Sequence, residues 1–277
     1  LWSLRERHPQ VAERLSVHFL LPPRGNACPL RPLPPGNCSE PPNNFEEAVR
    51  SAAAYPVNAA RNVARRLAKT KLVLVADLDH LFSANFAPKM AALAKKELSE
   101  NPKRALVYRI FEIEKDVQRF PETKADLSAL YQSGQAAVFH KHYYAHRIPL
   151  LAEWFEAPET GPDETPSVQF VRPYNVSAWE PQFVSLATIP DHDESFPYPV
   201  RDNTVLRWEM CRTGFEFAIV HDVFMFHHGV KKAEESRIVT SARQRVQKRA
   251  SAALTSFTAR MRREHPDTEQ DCPVFQL

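Results

Sequence analysis

Glycine is scarce in this sequence, with six residues among 277, while proline is abundant, with 24. No glycine-rich loop of the kind that cradles phosphate groups is present, which excludes the P-loop and the dinucleotide-binding fingerprint. Because glycine adopts positive φ without strain, we expect few turns with that backbone conformation. Many connections should instead be stiff and extended, as proline favours.

Long apolar runs and a strong charge imbalance are also lacking. No segment approaches the roughly 20 apolar residues that a membrane-spanning helix needs. The 36 basic and 33 acidic residues leave a net charge of +3, so we expect no nucleic-acid partner held by phosphate contacts. With 43% hydrophobic residues, the chain can bury a sizeable core, and we predict a globular protein.

Strand-like and helix-like segments alternate along the chain, which indicates an α/β fold. Apolar runs predict strands at 16–21, 72–76, 105–113, 181–187 and 215–220. Helical spacing predicts a helix with Pro56 in its first turn and further helices at 84–100, 202–213 and 232–264. The proline-rich loop at 22–44 lies too close to the N-terminus to separate two cores. We therefore predict one domain over residues 1–277.

The stretch LVLVADLDHLF, residues 72–82, places Asp77 and Asp79 directly after an apolar strand. Ligands of open α/β sheets bind beyond the carboxyl ends of the strands. Residues two apart in an extended chain point the same way, so the two carboxylates can share a hard cation. A loop cap or a salt-bridge pair would explain the same residues without a metal. Phosphatases of the haloacid dehalogenase type also begin with an apolar strand and D-x-D, so a phosphatase stays open as a distant alternative.

Segments spread over most of the chain resemble, in order, consecutive blocks of glycosyltransferase family 49. They are YPVNAARNVAR (55–65), ADLDHLF (76–82), FPETKADLSALYQSG (120–134), WEPQFV (179–184), DESF (193–196), WEMCRTGFEFAIV (208–220) and VFMFHHGVKK (223–232). This family includes β-1,4-glucuronyltransferases and the glucuronyltransferase domain of LARGE, and the tail at 256–272 is most similar to the former. Together these blocks are far more specific than D-x-D alone.

The resemblance implies a GT-A fold, a Rossmann-like α/β architecture with a mixed sheet flanked by helices and here a long C-terminal helix. It also implies an inverting, manganese-dependent transfer of a sugar, expected to be glucuronic acid, from a UDP-sugar to a glycan or glycoprotein acceptor. Asp77 and Asp79 match the D-x-D pair, with Asp77 also expected to contact the nucleotide, and His227 matches the histidine that completes the metal site. Imidazole accepts manganese readily, and the cation would neutralise the departing diphosphate.

Further matches to the family concern the nucleotide and the catalytic base. Arg61 and Asn62 match an Arg-Asn pair on the helix before the metal strand, and His146 also matches a family position, so all three are expected to contact the nucleotide. Inversion requires a carboxylate that deprotonates the acceptor hydroxyl. Asp193 is the preferred candidate and Asp202 the second, with a helix N-cap as the alternative role for Asp202.

The sequence departs from the family at two segments where sugars should bind. Tyr198-Pro199-Val200 stands where the family carries a glycine-rich segment, and AHRIPLL at 145–151 is a reduced form of a longer family motif. Donor or acceptor preference could therefore differ. The alternative function is a catalytically inactive domain of the same fold that binds a glycan or a partner protein.

The resemblance places the protein in the Golgi lumen, with a membrane anchor outside these residues, or in the secreted fraction. Sequons at Asn37 and Asn175 agree with this location. Among the four cysteines, Cys28 and Cys38 have nine residues between them, and an oxidising compartment predicts that they form a disulfide. Cys211 lies in a predicted helix, where we expect a buried free thiol.

Overall fold

The computed structural model describes residues 6–18, 20, 44–140, 144–230 and 233–277. The chain divides into two compact units, residues 1–43 and residues 44–277. In the first unit, helix α1 covers Pro9–Arg14. The strand predicted at 16–21 is wrong for residues 16–18 and 20, which have no regular secondary structure. An apolar run forms a strand only where another strand supplies its hydrogen bonds. Residues 22–43 of the predicted proline-rich loop, and with them Cys28 and Cys38, lie outside the described residues.

Helices make up much of the second unit. They are α2 (Phe45–Ala54), α3 (Val57–Leu67), α4 (Phe86–Glu100), α5 (Lys124–Gln132), α6 (Leu151–Glu156), α7 (Thr204–Arg212) and α8 (Ala233–Glu264). The long C-terminal helix expected from the sequence is thus confirmed. Within the described ranges, no helix combines the length and the apolar character that crossing a bilayer would require.

A mixed seven-stranded sheet forms the centre of the second unit. Its strands are β1 (Leu72–Leu74), β2 (His80–Phe82), β3 (Arg104–Ile113), β4 (Ala136–Val138), β5 (Val168–Arg172), β6 (Gln182–Leu186) and β7 (Glu216–His228). The order of the main path is β1-β6-β3-β7-β2, with β4 paired to β3 and β5 to β7. Strands β3 and β7 run parallel, and the other pairs are antiparallel.

Alternation of side chains along β3 divides the core between the two faces of the sheet. Leu106 and Tyr108 pack with Leu93 and other apolar residues of α4. Val107 faces the opposite way, into a cluster with Trp208 of α7 and apolar residues of α8. Helices therefore cover both faces of the sheet, an architecture consistent with the expected GT-A-like α/β fold.

Strand β7 is longer than the sequence indicated. It continues past residue 220 to His228, and its register against β3 shifts between Val107 and Arg109. The polar residues His221 and Asp222 interrupt the apolar run there, which is why the sequence predicted an end. Asp222 adopts φ +74, and the irregularity lets the strand resume with buried residues.

Positive φ is rare among the described residues, as expected, but it is not confined to glycine. Described non-glycine residues with φ between +53 and +74 are Asn85, His140, Leu150, Arg201 and Asp222. Tertiary contacts hold some of them in place: the Leu150 carbonyl, for example, accepts a hydrogen bond from Arg109 at 3.2 Å. Several of these residues adjoin the candidate site described below, where local backbone strain commonly concentrates.

The free thiol predicted at Cys211 is wrong, because Cys211 forms a disulfide with Cys272. The C-terminal tail returns over α7, where Arg212 donates hydrogen bonds to Thr268 and His265 and Phe275 stacks on Trp208 at 4.7 Å. A cysteine on a helix can form a disulfide with a chain segment that returns over the helix. The local sequence around Cys211 does not predict that the C-terminal tail returns there.

Candidate active site

Strand β2 brings together two segments that are far apart in the sequence. After β1, the chain turns through Asp77 and Asp79 and returns as β2, which pairs antiparallel with the end of β7. In this register His80 lies opposite His227. His227 therefore lies beside Asp79 at one edge of the sheet.

The ring of His227 is held by a backbone carbonyl on one side and faces a carboxylate on the other. Its Nδ1 lies 2.6 Å from the carbonyl oxygen of Gly229, and its Nε2 lies 3.1 Å from Oδ2 of Asp79. Because a carbonyl can only accept, Nδ1 must carry the proton, and in the neutral ring Nε2 then presents its lone pair to the carboxylate. Two acceptors at this distance need a proton or a cation between them, and metal-binding histidines commonly show this backbone-anchored arrangement.

Gly229 allows the carbonyl to reach back to His227. It adopts φ +108, and a Cβ atom at this position would lie 2.7 Å from Cε of Lys115. Both the backbone conformation and the space therefore favour glycine here.

Asp79 is exposed but electrostatically biased towards its charged form. Burial alone would raise the pKa of its carboxyl, but a backbone N–H, the nearby His227 and the charge of His80 together hold the pKa below its usual value. Its side chain keeps 66% of its surface accessible. The carboxylate is thus charged, open to solvent and close to an imidazole nitrogen.

His80 is a third group at this edge that the sequence analysis did not predict. Ligand atoms of Asp77, Asp79 and His80 all lie within 4.8 Å of one another. Nδ1 of His80 also accepts a long hydrogen bond of 3.3 Å from the backbone N–H of Asp77, which competes with metal binding through that atom. Its position directly after D-x-D, at the start of a returning strand, is the signal that could have identified it.

A cleft of about 720 Å³ opens between α3 and β1 and ends at the two aspartates. Its walls are apolar along much of their length, with Ala60 and Ala64 on the helix side, and Tyr55 lies at its margin. Of the predicted site residues, Arg61, Asp77 and Asp79 line this cleft. Its size suits a drug-sized or nucleotide-sized ligand.

Arg61 joins the cleft to Asp202. Its Nη1 donates to Oδ2 of Asp202 at 2.9 Å and to Oδ1 of Asn58 at 3.0 Å. Burial raises the pKa of Asp202, and the guanidinium of Arg61 opposes this rise without cancelling it. Asp202 is therefore a largely buried carboxyl that depends on one arginine for its charge.

Asn62 lies behind the cleft and contacts the loop that carries Asp193. Its amide N–H group donates to the backbone carbonyl of His192 and to Oε1 of Glu194, and its Oδ1 accepts the backbone N–H of His192. Only 1% of Asn62 is exposed. The structure thus places it as a support for this loop and not on the cleft surface.

The carboxylate of Asp193 is occupied on both oxygens. Oδ1 accepts the N–H of Ser195 at 3.0 Å and its hydroxyl at 2.5 Å, while Oδ2 lies 3.3 Å from Nη2 of Arg260. Arg260 also pairs with Glu209. This arrangement ties the loop to α7 and α8.

His146 is buried. Its Nδ1 lies 3.1 Å from the backbone carbonyl of Glu180, and its Nε2 lies 3.8 Å from Oε2 of the same residue. Its ring packs on Phe139 at 5.2 Å, and Phe139 in turn contacts the ring of His227 at 5.9 Å. Phe139 therefore separates His146 from the carboxylates at the end of the cleft.

Comparison with known proteins gives a consistent result. A family model described as a glycosyl-transferase for dystroglycan matches residues 1–266. The chain is 27% identical over 231 residues to beta-1,4-glucuronyltransferase 1 of Danio rerio, which covers 81% of this chain and 51% of that protein. It is 26% identical to the Bos taurus protein of the same name, over 98% of this chain and 66% of that protein.

A second kind of relative matches a shorter part of the chain. Xylosyl- and glucuronyltransferase LARGE2 of Mus musculus is 29% identical over 187 residues, which cover 66% of this chain and 26% of that protein. This chain spans about half to two thirds of the length of the two beta-1,4-glucuronyltransferase relatives.

Proposed function

The chain belongs to the family of glycosyl-transferases for dystroglycan, and we propose that it transfers glucuronic acid from a UDP-sugar to a glycan acceptor in a metal-dependent, inverting reaction. The names of its relatives support glucuronyl transfer. Membership of a transferase family also weighs against the phosphatase alternative.

The contact between His227 and Asp79 carries the metal part of this proposal. A carboxylate oxygen of Asp79 and Nε2 of His227 lie 3.1 Å apart, and a carboxylate oxygen of Asp77 lies within 4.8 Å of that of Asp79. Asp77, Asp79 and His227 would hold the cation, and this mixed set of oxygen and nitrogen ligands suits Mn²⁺. When bound, the ion would stabilise the negative charge of the leaving diphosphate.

The nucleotide would lie in the cleft between α3 and β1. Arg61 lines the cleft near the aspartates and would face the diphosphate or ribose, while the apolar walls would contact the uracil ring. Asn62 would act through the 192–194 loop that it supports. His146 would act on the acceptor side of Phe139 rather than on the nucleotide.

We expect the protein to work in the lumen of the secretory pathway. The disulfide between Cys211 and Cys272 supports an oxidising compartment. Peptide mapping of protein from the medium of secreting cells should find this pair linked, and a chain that is active only with both thiols reduced would contradict the proposed location.

Calorimetric titration with UDP, with and without Mn²⁺, tests the metal and nucleotide parts of the proposal together. Wild-type protein should bind UDP only when Mn²⁺ is present, and Asp79→Asn should reduce that affinity more than tenfold, about 1.4 kcal/mol. Asp163→Asn removes an exposed carboxylate from a distant loop and should bind like the wild type. Equal UDP affinity in Asp79→Asn and the wild type would contradict the metal site.

A panel of UDP-sugars with an aryl xyloside as acceptor tests the transfer itself. UDP-glucuronic acid should support acceptor-dependent release of UDP. Metal-dependent UDP binding without transfer from any donor in the panel would favour the inactive, glycan-binding alternative that the altered segment at 198–200 raises.

A further inference from the structure

Glu180 is a partly exposed carboxylate next to His146. It lies two residues before β6, in the segment WEPQFV. Its Oε1 accepts a hydrogen bond of 3.1 Å from the buried hydroxyl of Thr204, and its backbone carbonyl contacts His146. These contacts fix the carboxylate, while Oε2 stays beyond hydrogen-bond distance of the His146 ring at 3.8 Å.

The surroundings of the carboxylates decide which one can accept a proton from a substrate. Both oxygens of Asp193 already accept hydrogen bonds or face Arg260. Asp202 is paired with Arg61, and 11% of its side chain is exposed. Glu180 keeps 27% of its side chain exposed, accepts one hydrogen bond from Thr204 and forms no ion pair with an arginine or lysine among the described residues. Of the three, Glu180 has the most exposed side chain.

The aromatic side chains of Phe139 and Tyr198 lie between the surroundings of Glu180 and the residues that would hold the cation. On one side, His146 packs on Phe139, which contacts His227. On the other side, burial and then the charge of Glu180 raise the pKa of Asp202. Burial and the charges of Asp202 and Asp77 likewise raise the pKa of the Tyr198 hydroxyl, so Tyr198 lies near both carboxylates. Glu180 therefore lies across these rings from the carboxylates that would hold the cation.

We propose that Glu180 is the catalytic base that deprotonates the acceptor hydroxyl, in place of the sequence-predicted Asp193 or Asp202. This inference rests on the proposed transferase function. The acceptor class is a sugar hydroxyl that reaches the site past Phe139 and donates to Oε2 of Glu180. His146 is then a positioning residue, because its Nδ1 holds the Glu180 backbone.

The step balances without any further reactant. As the acceptor oxygen forms a bond to the anomeric carbon of the donor, its proton passes to Oε2 of Glu180. The bond between that carbon and the β-phosphate oxygen breaks, and its electron pair leaves with UDP. The proton is later released to solvent, to which Glu180 is partly exposed.

Glu180→Gln tests the proposal, because it keeps the shape of the side chain and removes its basicity. We expect kcat for acceptor-dependent transfer to fall at least 100-fold, as general-base removal typically does, with Mn²⁺-dependent UDP affinity within twofold of wild type. The matched control is Glu164→Gln, an exposed carboxylate that accepts one hydrogen bond from Gly161, and it should retain full activity. Asp193→Asn and Asp202→Asn are assayed in parallel.

The outcomes separate this inference from the proposed function. If Glu180→Gln keeps more than a third of the wild-type kcat, or raises only the acceptor KM, Glu180 is not the base, although the transferase function stands. If Asp193→Asn or Asp202→Asn alone abolishes turnover while UDP still binds, the base is that residue. If the wild type neither binds UDP nor transfers sugar, both proposals fail. Should Glu180→Gln not fold, Glu180→Asp replaces it, with a partial loss of kcat expected and an unchanged kcat contradicting the proposal.

Discussion

Asp79 and Asp222 are two aspartates on the same sheet with opposite surroundings. Asp79 has a side chain that is 66% exposed, and its neighbours are the imidazoles of His227 and His80. Asp222 is 1% exposed and lies between the ammonium groups of Lys89 and Lys124, at 3.9 and 3.8 Å. Two lysines of the protein neutralise the charge of Asp222, whereas no lysine or arginine among the described residues forms an ion pair with Asp79.

This difference indicates which charges serve stability and which serve binding. The Asp222 carboxylate also accepts hydrogen bonds from the backbone and hydroxyl of Thr160, and Lys124 donates to the carbonyls of Trp154 and Ala157. These contacts fasten the segment after α6 to β7 and α5. A buried carboxylate with two cationic partners is a structural element, whereas an exposed carboxylate beside an imidazole nitrogen suits the proposed cation.

Asp222→Asn should produce the largest effect on folding. The amide keeps the shape and tolerates the positive φ, but it leaves two buried lysines without their counter-charge. We expect the free energy of unfolding to fall by about 3 kcal/mol or more, measured by urea denaturation. A loss below about 1 kcal/mol would show that the lysines do not depend on this charge, and Asp163→Asn is the exposed control.

His227→Ala should produce the reverse pattern, a loss of binding with little loss of stability. Removal of the imidazole should weaken Mn²⁺ binding more than tenfold, about 1.4 kcal/mol, as measured by calorimetry. His228→Ala is a matched control, because the neighbouring ring contacts the backbone carbonyl of Lys115 instead of a carboxylate. Equal metal affinity in the two variants would remove His227 from the proposed site.

Gly229→Ala should have a smaller effect on the same binding. The added Cβ would meet Cε of Lys115 at 2.7 Å, in a backbone conformation that alanine adopts poorly, so the carbonyl that orients His227 should shift. We expect the Mn²⁺ affinity to fall severalfold, less than in His227→Ala. Gly134→Ala, at φ +77 in open space, controls for the backbone strain alone, and an equal loss in both would contradict a role in orientation.

The smallest effect is a pH dependence at Lys124. Burial lowers the pKa of its ammonium group, and the charges of Asp222 and Glu159 oppose this without cancelling it. Between the lowered folded pKa and the ordinary value near 10.5, the unfolded chain binds more protons, so the contribution of Lys124 to stability should rise with pH in that window. The difference in unfolding free energy between wild type and Lys124→Met should therefore grow as pH rises towards 10.5. A constant difference would show that Lys124 keeps its proton equally well in both states.

The place of Asp77 and Asp79 near the end of a strand could be predicted from the sequence. The apolar run before Asp77 indicated a strand, whereas His227 was singled out only through the family resemblance, because the strand predicted before it ended at residue 220. Strand β2 could not be predicted, since it has three residues and forms only through its pairing with β7, more than 140 positions later. Because His80 is the first residue of this strand, its place beside Asp79 could not be predicted either.

The remaining differences concern contacts that no local pattern encodes. Asp193 is a carboxylate, as a catalytic base should be, but its Oδ2 faces Arg260 of α8, which lies 67 positions later in the chain. Asn62 has the position of a nucleotide ligand, yet its amide is used by a loop 130 positions later. Residue type and spacing thus identified the elements of the site, and tertiary contacts determine which side chains remain available.

The bond between Cys211 and Cys272 closes a covalent ring across 61 positions, and β7 and α8 lie inside it. A protease that cuts once within this ring leaves the two pieces joined. The nicked protein would migrate as one band in non-reducing electrophoresis and as two bands after reduction. The strand that carries His227 is therefore retained, after such a cut, by a bond that includes no residue of the site.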